Sequence, residues 1–330
     1  MRKSLSLNLA AGALGLMAAS SFAEIKVNDA LSLSGFADMS IYGASPSTGS
    51  STLDASLDQF EMDFMFKLTD NFSLRADIAQ GGAGGAVTAG AIGVEQAYFT
   101  YTMGSAALMG GRFLSSTGFE SAEPTGLYQY SASVYCDNTN QAVPCIYGGY
   151  QNGLALSYTI SPMISVYGAV IGSTAGSSAV GYDAAGSTSL KDPAVEVQVS
   201  LAPVEGVTVK AAYLYDAFAG APEAYNLANI WASYAKGPLT VAAEFNYFMN
   251  FTAIDDNGTA WLAMANYKLT DKIAATARVS SIASDLGEDE TGITLSPSYA
   301  MNGNWLLVAE VSQLLDAEVT TYAFESLVSF

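Results

Sequence analysis

The sequence predicts an all-β fold, a transmembrane antiparallel β-barrel of about 16 strands. Three observations predict it. Apolar and polar side chains alternate over segments of about ten residues, the connections between segments alternate between short and long, and the chain is 50% hydrophobic but only 13% charged. The body of the chain contains no apolar run of the roughly 18 residues that a membrane-spanning helix needs, so strands must carry the apolar surplus.

The alternation is clear in the segment VEVQVSL. Val195, Val197 and Val199 occupy one parity, and Glu196 and Gln198 occupy the other. Such a pattern predicts a strand whose two faces meet different surroundings, and about ten residues is the length that a tilted strand needs to cross a bilayer. The other predicted strands are 31–42, 60–68, 72–78, 94–102, 106–113, 148–160, 163–172, 206–216, 225–235, 239–247, 259–269, 273–283, 292–300, 304–312 and 318–330.

A soluble β-sandwich also alternates and is the alternative for these strands. Two features favour the membrane barrel. The polar parity carries many Ser, Ala, Gly and Thr residues, which suit a wide, water-filled lumen. Aromatic residues also lie on the apolar parity near many segment ends, as in the girdles of membrane barrels. They include Phe66, Phe99, Tyr101, Tyr213, Tyr215, Tyr234, Tyr247, Trp305 and Phe330.

The connections separate into two classes that predict two different rims. Short turns are predicted near 69–71, 103–105, 161–162, 203–206, 236–238, 270–272 and 301–303, and longer polar stretches at 44–56, 79–93, 114–147, 173–191, 217–223, 253–258 and 284–291. One hairpin repeats, since residues 66–78 and 267–279 share a Lys-Leu-Thr-Asp turn. The layout predicts short periplasmic turns and longer extracellular loops, with 14 strands as the alternative count.

The first 23 residues have the features of a secretory signal peptide. Arg2 and Lys3 precede an uncharged Leu/Ala/Gly segment, and Ser21-Phe22-Ala23 supplies small residues for cleavage. Residues 24–330 are then the barrel, in the outer membrane of a Gram-negative-type bacterium. Loss of Arg2 and Lys3 leaves 10 of the 12 basic residues against 31 acidic ones, a net charge near −21. Such a charge excludes nucleic acid as a partner.

The end of the chain, TTYAFESLVSF, alternates as the last strand of a membrane barrel does. Tyr322, Phe324, Val328 and Phe330 share one parity, while Ser326 departs from it. This end resembles that of outer-membrane barrels in general, whose final phenylalanine is read by the insertion machinery. The resemblance implies that Phe330 contacts that machinery and that membrane lipids surround the apolar parity.

A more specific resemblance lies in GRFLSSTGFE (111–120), YQYSASVY (128–135) and IYGGY (146–150). These segments resemble the putative β-barrel porin-2, OmpL-like family, in which a strand ending in Gly-Lys/Arg-Phe leads to Gly-aromatic-Glu and a Tyr-Ser segment. The matching residues are Gly111, Arg112, Phe113, Gly118, Phe119, Glu120, Tyr130 and Ser131. Membership implies a porin, a passive channel for small hydrophilic solutes.

The residue inventory argues against catalysis and cofactors. The chain has no histidine, so Ser-His and Cys-His nucleophile pairs are absent and the sequence predicts neither an enzyme nor a bound cofactor or metal. Its two cysteines, Cys136 and Cys145, bound the polar segment CDNTNQAVPC, and in an exported protein this spacing predicts a disulfide. Acidic stretches at 255–258 and 285–290 offer oxygen ligands for Ca²⁺ but are interpreted as solvated acids.

Charged residues on the strands should point into the lumen, because Lys or Arg at the lipid-facing midplane costs ~2–4 kcal/mol. Eight acids and four bases lie on the polar parity, so the lumen should favour cations. They are Asp38, Glu61, Asp63, Asp77, Glu196, Glu244, Glu310 and Glu325, with Arg75, Arg112, Lys210 and Arg278. Glu95 shares parity with Phe99 and Tyr101 and is expected at the rim.

The longest predicted loop, 114–147, is the third outer connection and resembles the inward-folded third loop of general porins. We hypothesise that Glu120 and Glu123 face Arg112 and Arg75 across a constriction. The alternative is a loop that caps the mouth or packs outside. At the level of function, the alternative is a structural or adhesion barrel that this loop plugs. A homotrimer is plausible by resemblance to general porins.

Overall fold

The computed structural model describes residues 24–81, 92–120, 123–136, 146–147, 149–172, 193–217, 223–251, 256–287 and 289–330. The predicted signal peptide, 1–23, lies outside the described residues, so the cleavage site and the domain division that depends on it stay predictions. No helix in the described part of the chain is long and apolar enough to cross a membrane.

Sixteen antiparallel strands form one closed barrel, which confirms the predicted fold class and excludes the 14-strand alternative. A two-residue strand, β1 (Ile25–Lys26), pairs with the first barrel strand. The barrel strands are β2 (Leu31–Pro46), β3 (Thr52–Lys67), β4 (Phe72–Gly81), β5 (Ile92–Met103), β6 (Ala106–Leu114), β7 (Tyr150–Ser161), β8 (Ile164–Gly172), β9 (Pro193–Leu201), β10 (Val207–Asp216), β11 (Tyr225–Lys236), β12 (Leu239–Met249), β13 (Gly258–Lys268), β14 (Ile273–Ser284), β15 (Glu290–Asn302), β16 (Trp305–Leu314) and β17 (Val319–Ser329).

The barrel closes where β17 pairs with β2, in register from Val319↔Pro46 to Ser329↔Phe36. Beyond the last pair, the Gly35 and Phe330 backbones exchange hydrogen bonds of 2.8 and 2.9 Å. Ser326, which departs from the apolar pattern, accepts a 3.0 Å hydrogen bond from the Trp305 indole. The polar residue on the outer face is therefore partnered.

The two faces of the wall are inverted relative to a soluble protein. On β9, Val195, Val197 and Val199 are 37–47% exposed, whereas Glu196 is 0% and Gln198 5% exposed. A sandwich would bury the valines in its own core. Here the apolar parity lies on the outside, where only lipid can cover it.

The two copies of the repeated hairpin fold alike. Leu68 N and Thr69 N donate to Phe72 O at 3.0 and 3.1 Å, and Leu269 N and Thr270 N donate to Ile273 O at 2.8 and 3.1 Å. The shared Lys-Leu-Thr-Asp letters therefore specify one tight turn at the short-turn rim.

The opposite rim carries the longer connections, with one correction to the prediction. The first loop is much shorter than the predicted 44–56, because β2 and β3 stay paired as far as Ala44↔Thr52 and leave only residues 47–51 between them. Alternation is weak in that stretch, so the cross-strand pairing could not be read from it. The last connection at this rim, 315–318, is also short.

The lumen is less uniformly polar than the sequence predicts. Near the longer loops, the inner faces of β6 to β14 form an apolar cluster with the third loop. Fully buried wall members of this cluster include Phe113, Ile171, Leu214, Leu227, Phe248 and Leu262. Toward the short-turn rim the inner wall carries small polar side chains. Among them, Ser73 is exposed, and Thr102, Thr208 and Ser298 are partly exposed. The polar, accessible part of the inner wall is therefore confined to one end of the barrel.

Several outward aromatic rings lie over glycines of the neighbouring strand. Tyr322 is paired with Gly43 at the closing seam, and a Cβ at Gly43 would lie 2.6 Å from the Tyr322 ring and against the Thr52 carbonyl. Phe99 and Gly110 form an equivalent pair between β5 and β6. Covering a strand glycine with an aromatic ring fixes the register of the pair.

We predict that Gly43→Ala destabilises the barrel by about 1–3 kcal/mol, because the added methyl group must displace backbone or ring atoms. Urea unfolding in detergent would measure it. The matched control is Gly168→Ala, where a Cβ meets only Glu196 O at 4.0 Å. Equal stability of the two variants would contradict the role assigned to the Tyr322–Gly43 pair.

Candidate pore constriction

The third outer connection, residues 115–149, is named L3 here, and it folds into the lumen. Its described residues contact the inner wall on several sides, at β3, β9, β12, β14 and β16. The wall residues that L3 contacts lie within the strands and not at the mouth of the barrel. L3 therefore crosses the barrel interior, and the cap-like alternative is wrong.

The first anchor of L3 is Glu196 on β9. Its carboxylate accepts hydrogen bonds from Ser115 Oγ at 2.8 Å, Ser116 Oγ at 2.9 Å and Ser116 N at 3.2 Å. Gln198, the next inward residue on β9, donates to Ser116 O at 2.9 Å. The sequence predicts Glu196 as a pore-lining residue. In the structure its carboxylate holds the first residues of L3 against the wall.

Glu244 on β12 is the second anchor. It accepts hydrogen bonds from Phe119 N at 3.2 Å and Tyr135 OH at 3.3 Å, and short ones from Tyr147 OH and Asn229 Nδ2. Phe119 and Tyr147 lie near the two ends of L3, and Tyr135 lies between them. One wall carboxylate therefore holds the two ends of the loop together, and burial raises the pKa of the Tyr147 hydroxyl so that it remains a donor.

The third anchor is an ion pair between Glu120 of L3 and Arg278 of β14. The atoms Arg278 Nη1 and Glu120 Oε1 lie 2.8 Å apart, with side chains only 2% and 6% exposed. Arg278 also donates to Ser131 O and Ala132 O, both at 2.7 Å. The hypothesis that Glu120 faces Arg75 or Arg112 is therefore wrong, because the path of L3 carries Glu120 across to β14.

Glu310 on β16 is the fourth anchor. It accepts hydrogen bonds from Tyr130 N at 2.9 Å and Ser131 N at 3.2 Å. On the adjoining wall, Thr276 Oγ1 donates to Tyr128 O at 2.7 Å. L3 is thus tethered around much of the circumference, mostly by neutral donors on the loop that meet carboxylates on the wall.

An acidic cluster forms where L3 meets β3 and β5. Carboxylate oxygens of Glu61, Glu95 and Glu123 lie within 4.8 Å of one another, a spacing that could also hold a metal ion. Gln59 Nε2 donates to all three, at 2.8, 3.2 and 3.1 Å, and Tyr150 OH donates to Glu95 and Glu123. These donors give each carboxylate a partner within the protein.

Glu95 reaches this cluster because of a β-bulge. The pairing passes from Asp77↔Gln96 to Ile78↔Val94 and leaves Glu95 as the extra residue. The bulge lets both Glu95 and Gln96 face inward, and Glu95 is 0% exposed. The expectation of Glu95 on the outer parity at the rim is therefore wrong, since parity counting assumes an unbroken register.

Arg75 on β4 is held by acids of the wall itself. Its Nε donates to both Asp77 oxygens at 2.7 and 2.9 Å, and its Nη2 lies 3.5 Å from Asp63. The expected partnership of Arg75 with a loop glutamate is therefore wrong. Asp63 also accepts a 2.8 Å hydrogen bond from Ser34.

Arg112 on β6 donates from Nε to Glu95 O at 2.9 Å, and its guanidinium lies 5.8 Å from the centre of the Tyr150 ring. Tyr150 also donates to Glu123, so Arg112 and Glu123 share this tyrosine as a neighbour, and their pairing across a constriction stays a prediction. Lys210 on β10 lies over the Trp231 ring, at 5.2 Å from its centre.

Several residues of this site escaped the sequence analysis. The charged groups are contacted by Gln59, Tyr147, Tyr150 and Trp231. A neutral side chain can occupy either face of a strand at little cost, so the sequence pattern does not single these residues out. Cys136 is described and carries no free thiol, whereas Cys145 lies outside the described residues, so their disulfide stays a prediction. In the acidic outer loops, Asp256 is 2% exposed and accepts a hydrogen bond from Leu286 N, so this acid is structural and not solvated.

The comparisons with known proteins identify the family. The family model described as Putative beta-barrel porin-2, OmpL-like, matches residues 64–327. The chain belongs to this family. It is an outer-membrane porin of a Gram-negative bacterium, as the resemblance implied, and the search of curated proteins finds no match.

Solved structures share the fold of this porin at low identity. OmpF of Salmonella typhi in complex with daunomycin is 13% identical, with 93% of this chain and 100% of that chain covered and a TM-score of 0.65. An anion-selective porin from Comamonas acidovorans is 12% identical, with 91% and 99% covered and a TM-score of 0.61. In-vitro folded OmpT of Vibrio cholerae in trimer form is 10% identical, with 92% and 100% covered and a TM-score of 0.59.

The residues that carry the resemblance to the family are mostly those that hold L3. Phe119, Glu120, Tyr130 and Ser131 make the anchor contacts with Glu244, Arg278 and Glu310. Gly118 has a φ of +98°, and a Cβ there would meet the Tyr147 ring at 2.8 Å. The motif of this porin is therefore a loop-docking motif.

We predict that Glu244→Ala frees part of L3, because each buried donor left without an acceptor costs about 1–3 kcal/mol. The expected result is a severalfold faster proteolytic cleavage within 115–149 and a larger single-channel conductance. Glu205→Gln, an exposed acid on a short turn, is the control. Unchanged cleavage in the Glu244 variant would contradict the anchor.

We predict a titration at the acidic cluster. Burial, with the nearby Glu95 carboxylate, raises the pKa of Glu123 from 4.5 to about 8. Because this pKa is raised on folding, the docked loop is favoured below pH 4.5 and that advantage is lost as pH rises through about 8. The reversal potential in a KCl gradient should therefore shift toward cations with a midpoint near pH 8. Glu123→Gln should remove the step, and a step that persists in this variant would assign the titration elsewhere.

Proposed function

We propose that this porin is a passive, non-catalytic diffusion channel for small hydrophilic solutes, with a preference for cations. The channel function is supported by membership of the porin family. The cation preference is supported by the acidic cluster of Glu61, Glu95 and Glu123, where L3 meets β3 and β5. Glu196 and Glu244 add negative charge that neutral donors on L3 leave uncompensated. Charges within about 8 Å of the ion path are screened only partly by salt.

The other candidate function is a structural or adhesion barrel closed by L3. The observation that favours it is the apolar cluster, in which Tyr135 and Ile146 of L3 are fully buried against the wall. Packing of this kind leaves no room for water on that side of the lumen. A conducting path would then have to pass beside the charged contacts of L3.

Two partners complete the proposal. The outer face of the barrel suits membrane lipids, and the last strand, with Phe330, suits recognition by the barrel-insertion machinery. Phe330→Ala should lower assembly in the membrane, and unchanged assembly would argue against this role.

A homotrimer is proposed because OmpT of Vibrio cholerae, which shares the fold, has a trimer form. A single monomer mass in mild detergent would argue against it.

We predict stepwise single-channel currents after reconstitution in a planar bilayer, with K⁺ more permeant than Cl⁻. Measured above pH 8, where Glu123 is ionised, the double variant Glu61→Gln, Glu123→Gln should move the permeability ratio toward 1, because it removes negative charge beside the constriction. Glu205→Gln should leave the ratio unchanged. Absence of current steps would favour the plugged barrel, and an unchanged ratio in the double variant would reject the cluster as the source of selectivity.

A further inference from the structure

Lys210 and Trp231 form a distinct pair on the inner wall. They lie directly opposite each other on β10 and β11, with the Lys210 ammonium 5.2 Å from the centre of the indole ring. Phe119 of L3 packs edge-to-face on the same ring, at 5.5 Å between centroids. The pair therefore adjoins the docked loop, a few residues from the short-turn end of β10.

Within the described residues, Lys210 has no carboxylate partner and the Trp231 indole has no hydrogen-bond acceptor. Among the described residues, Arg75 and Arg278 have carboxylate oxygens within 4 Å, whereas Lys210 has none. Trp231 is 9% exposed, and its Nε1–H finds no acceptor in the described part of the chain. An ammonium and an indole N–H are donors only, so the group missing from this place is an acceptor.

The acids around the pair are already engaged. Glu196 is the carboxylate whose charge acts on Lys210, but its oxygens accept hydrogen bonds from Ser115 and Ser116. Glu244, opposite Trp231 on β12, accepts from Phe119 N. Ser200, opposite Lys210 on β9, is neutral. The wall holds the loop with its own acids, and none of these acids pairs with Lys210 or accepts from the buried Trp231 Nε1–H.

We propose that Lys210 and Trp231 bind the carboxylate of a permeating solute, a small organic acid with a ring or other apolar body. The ammonium supplies the charge, the indole N–H supplies a directed donor, and Phe119 supplies an apolar neighbour. This inference rests on the proposed channel function and names a solute class for it. A local contact of this kind coexists with a cation preference, because small ions respond to the summed charge of the lumen.

The first test uses benzoate as the probe and neutral benzamide as its control. Benzoate should block single-channel K⁺ current reversibly, and Lys210→Gln should raise the half-blocking concentration about tenfold, the loss of one charge-assisted contact. Trp231→Phe should raise it less, about threefold, and Lys210→Arg should retain block. Lys236→Gln, an exposed lysine at the end of β11, is the matched control. Equal block by benzamide, or equal block of the Lys210→Gln channel, overturns the site.

The second test reads binding without conduction. Of the three tryptophans, Trp261 and Trp305 face outward at 39% exposure, so Trp261→Phe with Trp305→Phe leaves Trp231 as the only indole reporter. Benzoate should change its fluorescence saturably, and Lys210→Gln, checked for folding by circular dichroism, should lose the response. If benzoate gives a saturable fluorescence response but the reconstituted protein shows no current steps, the channel function is rejected and the binding site is retained. If the protein conducts but benzoate leaves the Trp231 fluorescence unchanged, only the binding site is rejected.

Discussion

Pairing of β17 with β2 is the contact on which the rest of the molecule depends, because hydrocarbon offers no partner to an open strand edge. Closure satisfies the backbone of every strand and separates an outer face from an inner one. It also explains why valines of β9 are exposed while Glu196 between them is fully buried. Once the sheet is closed, any charge on the inner parity must find its partner inside the lumen.

L3 provides many of those partners. The loop presents backbone N–H groups and hydroxyls to Glu196, Glu244 and Glu310, and presents Glu120 to Arg278. A carboxylate buried without donors would be costly, and a loop crossing a lumen would leave its own amides unsatisfied. Each element therefore supplies what the other lacks, which gives a physical reason why the family motif lies in the loop and at the strand end before it.

The interior is divided into two environments by this docking. Near the longer loops, Tyr135 and Ile146 of L3 join the apolar cluster of the wall and exclude water from that region. Near β3 and β5, the loop brings Glu123 to Glu61 and Glu95. Solutes are thus expected along the charged side of L3, where acids and Arg112 offer polar contacts. The Lys210–Trp231 pair lies elsewhere on the inner wall, on β10 and β11.

The fold could be predicted from sequence, because a period of two between two solvents is a local property. The family resemblance came separately, from the motif residues between 111 and 150. The 16 strands, the two rims and the inward placement of the charged parity all followed from it. The limits of β2 and β3 did not, since they depend on pairing with a neighbour. Glu95 was misplaced for a related reason, because a bulge changes the parity of every later residue without a mark in the sequence.

The partners of L3 were decided by the tertiary structure alone. Ser116 meets Glu196 across 80 residues of chain, and Glu120 meets Arg278 across 158. An irregular loop has no periodicity to predict its path, so its charges could be identified from the sequence but not paired. The sequence by itself determined a closed barrel with an acidic interior, and only the folded loop decided which of those acids hold structure and which face the solute, because that division depends on distances between residues far apart in the chain.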